Sequence, residues 1–366
     1  MKADILKEEI SKLINKNLIE PSKSPWSSPV VLVPKHNGKW RMCVDYRKVN
    51  QVTEKDAYAL TLIEENFDGL DGATVFSTLD LYSGYHQIPM AEETIEITSF
   101  TTVYGNFNFK VMPFWLCNAP ASFQRSMNRI LFSLIGVYVY NFIDDVLIFS
   151  KSKKEHLTHL KQVMEIFKAN KLKLNLEKCN FMKDKVQVLG HLLTSKGLKP
   201  LESKVTAIEN WKPPTNVSEL RSFLGAIGYY RQFIDHYVAT SEPLCRLLKK
   251  NTPFIWSTEQ DSAFKLLKHK LRVASIFKFP SFSKPFIIRT DAFYQGISGV
   301  LQKVEDGVQE LPVHYISRSL SKAERNYSIT DLEGAALFFC ITKFKPYILG
   351  INYLQLYSLT IRIPSK

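Results

Sequence analysis

The first half of the chain alternates between short apolar runs of strand length and longer stretches with helical periodicity. Two strands, residues 29–33 and 40–45, flank Asn37-Gly38, a dipeptide that favours a tight β-hairpin turn. A third strand ends near Asp80 and is followed by a break at Ser83-Gly84. This order predicts a mixed α and β structure with acidic residues at strand ends.

Helix start signals precede three later segments. One helix opens at Asn118 and a second covers about residues 154–169. A third begins after Asn216, with Glu219 three residues on, as in a capping box. The first 17 residues have the pattern of a charged amphipathic helix rather than of a signal peptide.

The stretch YNFIDDVLIFS, residues 140–150, places Asp144 and Asp145 inside an almost unbroken apolar run. Isolated buried carboxylates are costly, so such groups are usually paired, hydrogen-bonded or bound to a metal ion. A hairpin turn would also explain them, because Asp is common in turns and needs no catalytic role there. The local pattern leaves both interpretations open.

The net charge and the aromatic content indicate which class of molecule the protein binds. A formal net charge of +13, together with 24 Phe and 16 Tyr, favours nucleic acid, because Lys and Arg neutralise phosphates and aromatic rings stack on bases. The alternative is a basic charge that only keeps the protein in solution. The apolar fraction of 45% excludes a disordered chain.

The cysteines are far apart and form no Cys-x-x-Cys pair, which argues against a zinc module and for a reducing environment. They are Cys43, Cys117, Cys179, Cys245 and Cys340. The longest apolar run, residues 131–143, is too short and too interrupted to span a bilayer. We therefore expect a soluble intracellular protein, in the cytoplasm or the nucleus, without membrane contact.

Two changes of pattern indicate domain boundaries. Pro213-Pro214 precede a new helix, and strands replace helices again near residue 278. The chain is thus divided into residues 1–212, 213–277 and 278–366.

Three carboxylates can face a common point if the strand ending at Asp80 lies beside the hairpin of Asp144 and Asp145. Such a cluster holds hard divalent cations, and two of these ions activate an attacking hydroxyl and stabilise a leaving phosphate in polymerases and nucleases. Tyr85, five residues past Asp80, could form the wall of a nucleotide pocket, and Arg41 could contact phosphates.

Several longer motifs occur in order along the chain: RMCVDYRKVN, LDLYSGYHQIPM, VMPFWLCNAPASFQ, NFIDDVLIFSKSKKEHLTHL, KLNLEKCNF, VLGHLLTSKGLKP and LRSFLGAIGYYRQFI. Together they resemble the reverse transcriptase of gypsy-like long-terminal-repeat retrotransposons. KPFIIRTDAFYQGISGVLQ and SKAERNYSITDLEG resemble the RNase H domain that follows it in the Pol polyprotein. Nearly the whole chain is covered.

The resemblance implies an α+β fold, a right-hand polymerase with fingers, palm and thumb in residues 1–212. A helical thumb or connection segment and an RNase H-like α/β domain would follow in residues 213–277 and 278–366. The implied activity is an RNA-directed DNA polymerase that uses Mg²⁺ or Mn²⁺ and extends a primer with deoxynucleoside triphosphates on an RNA or DNA template. The step is in-line attack of the primer 3′-hydroxyl on the α-phosphate.

Site residues follow from the same motifs. The metal-binding catalytic acids would be Asp80, Asp144 and Asp145. The nucleotide contacts would be Lys35, Arg41, Tyr85, Phe114 and the adjacent Trp115, with Tyr85 screening the sugar 2′ position. The turn that grips the primer end would be Leu189, Gly190 and His191. The first two acids of RNase H correspond to Asp291 and Glu333, with Asp331 as a neighbouring alternative to Glu333.

Two departures from the family pattern matter most. Where the family has Pro-Phe-Gly-Leu, this chain has Trp115 in place of the glycine, so an indole could fill the space between template and nucleotide. The third RNase H acid is replaced by Leu359, which cannot bind a cation, and the chain stops seven residues later. We therefore expect an incomplete RNase H domain with little or no cleavage, in a fragment or a decayed copy.

A second function remains open. An inert, retroelement-derived protein could keep the charge and the fold, and so bind nucleic acid, without turnover. Trp115, the lost third RNase H acid and the truncation favour this alternative, whereas the three intact acids and the ordered motifs favour the polymerase.

Overall fold

The computed structural model of the protein describes residues 2–34, 38, 40–59, 65–305, 309–349 and 354–358. The chain forms two compact units, one made of Met1–Asn66 and Val75–Lys183, the other of Phe67–Thr74 and Asp184–Lys366. Within the described residues, no helix is long and apolar enough to cross a membrane.

The first unit contains five α-helices and nine strands among its described residues. In chain order they are α1 (Lys2–Asn15), β1 (Ile19–Pro21), β2 (Ser28–Pro34), β3 (Trp40–Val44), α2 (Arg47–Val52), β4 (Val75–Asp80), α3 (Glu92–Ile95), β5 (Phe100–Thr102), β6 (Gly105–Phe109), α4 (Ala119–Ile130), β7 (Val139–Phe142), β8 (Asp145–Ser150), α5 (Lys153–Ala169) and β9 (Asn180–Lys183).

Five of these strands form a sheet in the order β1-β6-β5-β2-β3. β2 and β3 are antiparallel, with Val30 opposite Val44, which confirms the predicted strand pair. The predicted turn at Asn37 lies outside the described residues. The fully buried Phe100 of β5 joins Val44 in one apolar core with Ile10 of α1.

A second sheet, in the order β7-β8-β4-β9, carries the predicted acidic residues. Residues 146–150 of β8 are all buried. The reason is that α4 and α5 cover this sheet, with Phe123 of α4 and Phe167 of α5 in the same apolar cluster as Val146 and Ile148. The apolar run around the two aspartates is therefore the core of a helix-covered sheet.

The helices of the first unit begin close to where the sequence predicts. Asn118 is the N-cap of α4, and a proline follows in its first turn. α5 begins at Lys153, because the hydroxyl of Ser152 accepts a hydrogen bond from the N–H of Glu155. Both helices thus obtain their start from local signals.

The second unit contains five α-helices and seven strands among its described residues. They are β10 (Lys185–Val188), β11 (His191–Thr194), β12 (Gly197–Pro200), α6 (Glu202–Glu209), α7 (Val217–Gly228), α8 (Tyr237–Arg246), α9 (Thr258–Arg272), β13 (Phe286–Phe293), β14 (Gly296–Glu305), β15 (Gln309–Ser319), α10 (Ile329–Ile348) and β16 (Leu354–Ser358).

Two sheets organise the second unit, β10-β11-β12 and β15-β14-β13-β16, and β16 pairs in parallel with β13. Cys340 and Phe344 of α10 pack on Phe286 and Ile288 of β13. The predicted cap of α7 is confirmed, since the side chain of Asn216 accepts from the Glu219 N–H. The predicted boundaries after residues 212 and 277 lie within this unit and stay predictions.

Candidate active site

Three carboxylates lie at one end of β4 and β8. Asp80 is the last residue of β4 and Asp145 the first of β8, and they are direct cross-strand partners, so their side chains share one face of the sheet. Asp144 lies in the turn between β7 and β8, next to Ile143, which has a left-handed φ of 53°. The structure thus places the three predicted acids at the same end of this sheet, and a hairpin turn presents two of them.

The environment of Asp144 disfavours its negative charge. Burial raises the pKa of Asp144 to about 6, and repulsion from Asp80 and Asp145 acts in the same direction, while Lys178 opposes it. The pKa of Asp145 is also raised, by burial first and by Asp80 second. Oδ1 of Asp144 is buried and has no hydrogen-bond donor among the described residues. A carboxylate oxygen in these surroundings favours a cation as its partner.

Packing explains why a glycine follows the strand that ends at Asp80. A Cβ at Gly84 would lie 2.4 Å from Oδ1 of Asp144 and 2.9 Å from the ring of Phe123. Only a residue without a side chain leaves room for the carboxylate here. Gly84 is therefore part of the site, because its missing side chain leaves room for the carboxylate of Asp144.

Lys178 is a member of the site that the sequence did not single out. Its Nζ lies 3.3 Å from Oδ2 and 3.5 Å from Oδ1 of Asp80. The backbone N–H of Asp80 lies 3.5 Å from Sγ of Cys179. Both residues occur in the motif KLNLEKCNF, but no local pattern in the sequence predicts that they lie beside Asp80.

No three acidic, histidine or cysteine side chains in the described parts of the chain lie close enough to form a complete metal site. The donor chemistry nevertheless fits a hard divalent cation, because Asp80, Asp144 and Asp145 offer carboxylate oxygens. The buried Oδ1 of Asp144, which has no hydrogen-bond donor among the described residues, also fits a cation as its partner. Binding of a cation through Asp80 would have to replace the contact with Lys178.

Three of the five predicted nucleotide contacts line a pocket of about 300 Å³. Arg41 of β3 lines it together with Phe114 and Trp115, and His86 lies in its wall. Burial lowers the pKa of His86 to about 4, so this imidazole is neutral near pH 7. Lys35, the remaining predicted contact of this group, lies outside the described residues.

Tyr85 is half-buried beside this pocket. Its ring centroid lies 5.1 Å from that of Phe114 and 5.2 Å from that of Phe123. These contacts bring Tyr85 and Phe114 together and give the tyrosine a fixed aromatic support.

Trp115 occupies a backbone conformation that glycine adopts more easily. Its φ is 78°, in the left-handed region, and its side chain is 58% exposed. Asn50 holds this segment, because its Nδ2 donates to the carbonyl of Trp115 at 2.9 Å and its Oδ1 accepts from the Cys117 N–H at 2.9 Å. The indole lines the pocket that contains Arg41.

Leu189 and Gly190 form the turn between β10 and β11, with φ values of 46° and 75°. The hydroxyl of Tyr229 donates to the carbonyl of Leu189 at 2.5 Å, and that of Tyr230 donates to the carbonyl of Gly190 at 2.7 Å. These tyrosines are part of the motif LRSFLGAIGYYRQFI, but no local pattern connects them with this turn. The two contacts fix its backbone.

His191 lies on β11, the middle strand of its sheet. It is only 1% exposed, and its ring lies among Phe67, Tyr229, Tyr230 and Phe233. Burial lowers its pKa to about 4. His191 is therefore a neutral core residue beneath the turn.

Asp291 of β13 has a histidine neighbour. Nδ1 of His236 lies 3.5 Å from Oδ2 of Asp291 and 3.0 Å from the hydroxyl of Ser298, and its Nε2 lies 3.1 Å from Asp235. Burial raises the pKa of Asp291, and His236 counteracts that effect. A protein side chain thus offers this acid a partner.

Glu333 and Asp331, the two candidates for the second RNase H acid, both lie on α10. Glu333 is close enough to Asp291 to contribute to its raised pKa. Asp331 instead hydrogen-bonds Ser328 at the start of the helix, so Glu333 is the better match of the two alternatives. Leu359, at the position of the third acid, lies outside the described residues.

These geometric features agree with the comparisons with known families. Residues 33–193 match the family of reverse transcriptase (RNA-dependent DNA polymerase), and residues 256–355 match the RNase H-like domain found in reverse transcriptase. The chain therefore contains a reverse transcriptase domain followed by an RNase H-like domain.

The homologues are Pol polyproteins of retrotransposons, which confirms the predicted resemblance. The chain is 38% identical to the retrovirus-related Pol polyprotein from transposon 412 of Drosophila melanogaster, covering 95% of this chain and 28% of the relative. For transposon opus of the same species the identity is 37%, with 96% and 37% covered. For the transposon Tf2-3 polyprotein of Schizosaccharomyces pombe it is 34%, with 95% and 26% covered. The chain thus spans about a quarter to two fifths of these relatives.

Solved structures confirm the fold class. The foamy viral protease-reverse transcriptase in complex with dsDNA has a TM-score of 0.86 at 23% identity, covering 98% of this chain and 74% of that chain. The same protein in complex with an RNA/DNA hybrid gives 0.82 at 22% identity, with 99% and 49% covered. The fold is that of a right-hand polymerase followed by an RNase H-like domain, as predicted.

Proposed function

We propose that this chain is an RNA-directed DNA polymerase that extends a primer with deoxynucleoside triphosphates. The observation that supports this function most directly is the cross-strand pair of Asp80 and Asp145, with Asp144 in the adjoining turn. The reverse transcriptase domain and the Pol homologues agree with it. Because those relatives are much longer, the activity is a proposal for this chain.

Asp80, Asp144 and Asp145 are the proposed ligands of Mg²⁺ or Mn²⁺. When bound, the cations would favour deprotonation of the primer 3′-hydroxyl and stabilise the charge that develops on the phosphate. The aspartates hold the site at a fixed strand end, so that the hydroxyl and the α-phosphate meet in line. Lys178 forms an ion pair with Asp80 and so balances the negative charge of this carboxylate until a divalent cation replaces the lysine.

The pocket beside the acids is the proposed nucleotide site. Arg41 is assigned to the triphosphate, because a guanidinium binds phosphate oxygens with two parallel hydrogen bonds. Tyr85, supported by Phe114, is assigned to the sugar, where a ring excludes a 2′-hydroxyl. Trp115 shares this pocket, and Lys35 is assigned to the triphosphate from its motif alone.

A primed RNA or DNA template is the proposed partner. The net charge of +13 favours a polyanion, and the foamy viral neighbours were solved with dsDNA and with an RNA/DNA hybrid. The turn of Leu189 and Gly190, with His191 packed beneath it, is assigned to the primer end. Tyr229 and Tyr230 keep that turn in one conformation.

The RNase H-like domain is proposed to be inactive as a nuclease. Asp291 faces His236, and Leu359 replaces the third acid in the sequence. A site with fewer carboxylates, one of which already lies next to a histidine, would hold divalent ions poorly. Incubation with a labelled RNA–DNA hybrid and Mg²⁺ should leave the RNA intact, and a cut RNA strand would contradict this assignment.

The alternative, an inert nucleic-acid-binding protein, is favoured mainly by Trp115. A large ring lines the pocket at a position where backbone conformation favours glycine. If it blocks the nucleotide, the chain would bind a primer–template without extending it.

Primer extension on an RNA template with Mg²⁺ separates the two functions. The wild type, Trp115→Gly and Asp144→Asn are compared, with Trp26→Gly, which removes another exposed indole, as the control. We expect the wild type and Trp26→Gly to extend the primer, Trp115→Gly to extend it at least as fast, and Asp144→Asn to lose extension.

Three other results have distinct meanings. Extension by Trp115→Gly but not by the wild type would show an inert protein with a blocked pocket. Extension by neither of them would refute the polymerase. Extension that survives Asp144→Asn would refute the assignment of the catalytic acids.

A further inference from the structure

A buried glutamine hydrogen-bonds the backbone of the turn that carries Asp144. Gln124 of α4 is 1% exposed, and its Oε1 accepts a hydrogen bond from the backbone N–H of Ile143 at 2.6 Å. Its Nε2 donates to the backbone carbonyl of Asn141 at 3.1 Å and to Oδ1 of Asn128 at 2.8 Å. One side chain thus binds the backbone on both sides of Phe142, immediately before the aspartates.

These hydrogen bonds matter because the turn has a strained backbone conformation. Ile143 has a φ of 53°, a region that a β-branched residue adopts only under strain. Its N–H lies in a partly buried environment, where an unmade hydrogen bond would be costly. Gln124 supplies the acceptor and so compensates for the conformation that places Asp144.

The orientation of the Gln124 amide is fixed by its partners. The N–H of Ile143 can only donate and the carbonyl of Asn141 can only accept, so Oε1 and Nε2 cannot be exchanged. Asn128 extends the network, since its Nδ2 donates to the hydroxyl of Tyr58 at 2.8 Å. The contact therefore has one hydrogen-bonded arrangement.

Gly84, on a different segment, lies next to Asp144. A Cβ at Gly84 would lie 2.4 Å from the Oδ1 of Asp144. A rotation of the turn would move this oxygen relative to Gly84 and to the other acids. The position of the carboxylate thus depends on the conformation at Ile143.

We propose that Gln124 is a positioning residue that holds Ile143 in its left-handed conformation and thereby aligns Asp144 with Asp80 and Asp145. The catalytic part of this inference rests on the proposed polymerase function. A role in alignment predicts a specific rescue, because glycine adopts a positive φ without strain. Replacing Ile143 by glycine should remove much of the need for Gln124, whereas alanine, which keeps a Cβ, should not.

The experiment uses the full chain with the substitutions Gln124→Met, Ile143→Gly and Ile143→Ala, and each Ile143 change combined with Gln124→Met. Gln162→Met is the matched control, because Gln162 on α5 hydrogen-bonds Tyr138 and does not contact the turn. The measurements are single-turnover primer extension, Mn²⁺ binding in the absence of nucleic acid by electron paramagnetic resonance, and the midpoint of urea unfolding.

We expect Gln124→Met to slow extension by about 100-fold, as for a catalytic group displaced by about 1 Å. It should also weaken Mn²⁺ binding, whereas Gln162→Met should change neither quantity. Adding Ile143→Gly should recover a large part of both losses, and adding Ile143→Ala should recover neither. A Gln124→Met protein with wild-type extension and Mn²⁺ affinity would overturn the proposal, as would losses that simply add in the double variants.

Failure of the polymerase function gives a different pattern. If the wild type binds Mn²⁺ but does not extend primers, the proposed function fails, and the rescue is measured by Mn²⁺ affinity. If the wild type does neither, the urea midpoint decides. Restoration of the Gln124→Met midpoint by Ile143→Gly but not by Ile143→Ala supports the grip on the turn, and equal or additive shifts overturn it.

Discussion

Two groups of acidic residues, one in each compact unit, show how differently a protein can surround carboxylates at a strand. Asp144 has a buried oxygen without a donor among the described residues and lies near two further aspartates. Asp291 also has a raised pKa, but His236 lies 3.5 Å from it and forms contacts with Ser298 as well. The first group therefore has an oxygen that an added cation could bind, whereas the second has a histidine of the chain as its neighbour.

The difference shows that a count of acids does not define a metal site. Asp291 and Glu333 match the first two RNase H acids, yet their surroundings partly replace what an ion would supply. Lys178 has a similar but weaker role at Asp80, because it is exposed and its contact is exchangeable. The neighbours of a carboxylate thus decide between a catalytic and a structural use.

The largest expected effect is on catalysis. Asp144→Asn should lower the rate of primer extension by at least about 100-fold, because it removes charge at the reacting centre. Asp291→Asn should leave extension close to wild type. Single-turnover extension on an RNA template measures both, and equal losses in the two variants would contradict the comparison.

Cation binding should also separate the two groups. At a hundred times its dissociation constant, Mg²⁺ should stabilise the wild type and Asp291→Asn by about 2.7 kcal/mol. Asp144→Asn should show much less stabilisation, because one ligand is lost. Thermal unfolding with Mg²⁺ and with EDTA measures this difference, and Ca²⁺-free buffers with matched ionic strength serve as the control. A Mg²⁺ effect that survives in Asp144→Asn and disappears in Asp291→Asn would reverse the assignment.

Acid should affect both regions alike, in contrast to the two preceding tests. Burial lowers the pKa of His156 in the first unit and of His314 on β15 to about 4, whereas an unfolded chain has His near 6.5. The unfolded state then binds more protons between these values, so stability is complete above about pH 6.5 and is lost as the pH falls towards 4. For the fully buried His156, the loss at pH 5 is about 2 kcal/mol.

Hydrogen exchange resolves this acid effect by region. Amides of residues 75–80 and 145–150 report on the sheet around His156, whose ring bonds Ser77 and Ser150. His156→Asn should flatten the pH dependence there and leave that of residues 309–319 unchanged. A wild-type sheet whose protection stays constant between pH 6.5 and 4.5 would refute the neutral, buried state of His156.

The smallest expected effects have opposite signs in the two regions. His236→Asn should lower the free energy of unfolding by about 0.5–1 kcal/mol, because Asp291 loses a partly exposed partner. Asparagine is chosen because it tolerates the left-handed φ of 51° at this position. Asp144→Asn, in EDTA, should instead raise stability by about 1 kcal/mol, since it removes a buried charge. Urea unfolding measures both free energies of unfolding. Shifts of the same sign in the two variants would contradict the difference between the two groups of acidic residues.

Much of the fold was predictable because its signals are local. The strand pair β2–β3, the start of α4 at Asn118 and the cap of α7 at Asn216 each depend on residues within a few positions of one another. The turn of Asp144 was equally predictable from its flanking strands. The order of the motifs then indicated the fold class, which the solved structures confirm.

The site itself was predictable only in its acids. No local pattern connects Lys178 with Asp80, or Gln124 with the N–H of Ile143, because their partners lie 98 and 19 positions away. The burial of His191 follows from the aromatic residues of another segment. The same is true of His236, whose place beside Asp291 joins the start of α8 to a strand 55 residues later.

The sequence by itself therefore determined many of the elements, since these depend on short-range propensity, and the order of the two domains, which the ordered motifs indicated through their resemblance to a known family. Tertiary structure alone decided which acid has a protein partner, which oxygen is left without a donor, and what holds a strained turn in place. The physical reason is that pKa, burial and hydrogen-bond satisfaction are set by neighbours in space, and folding brings those neighbours together from distant parts of the chain.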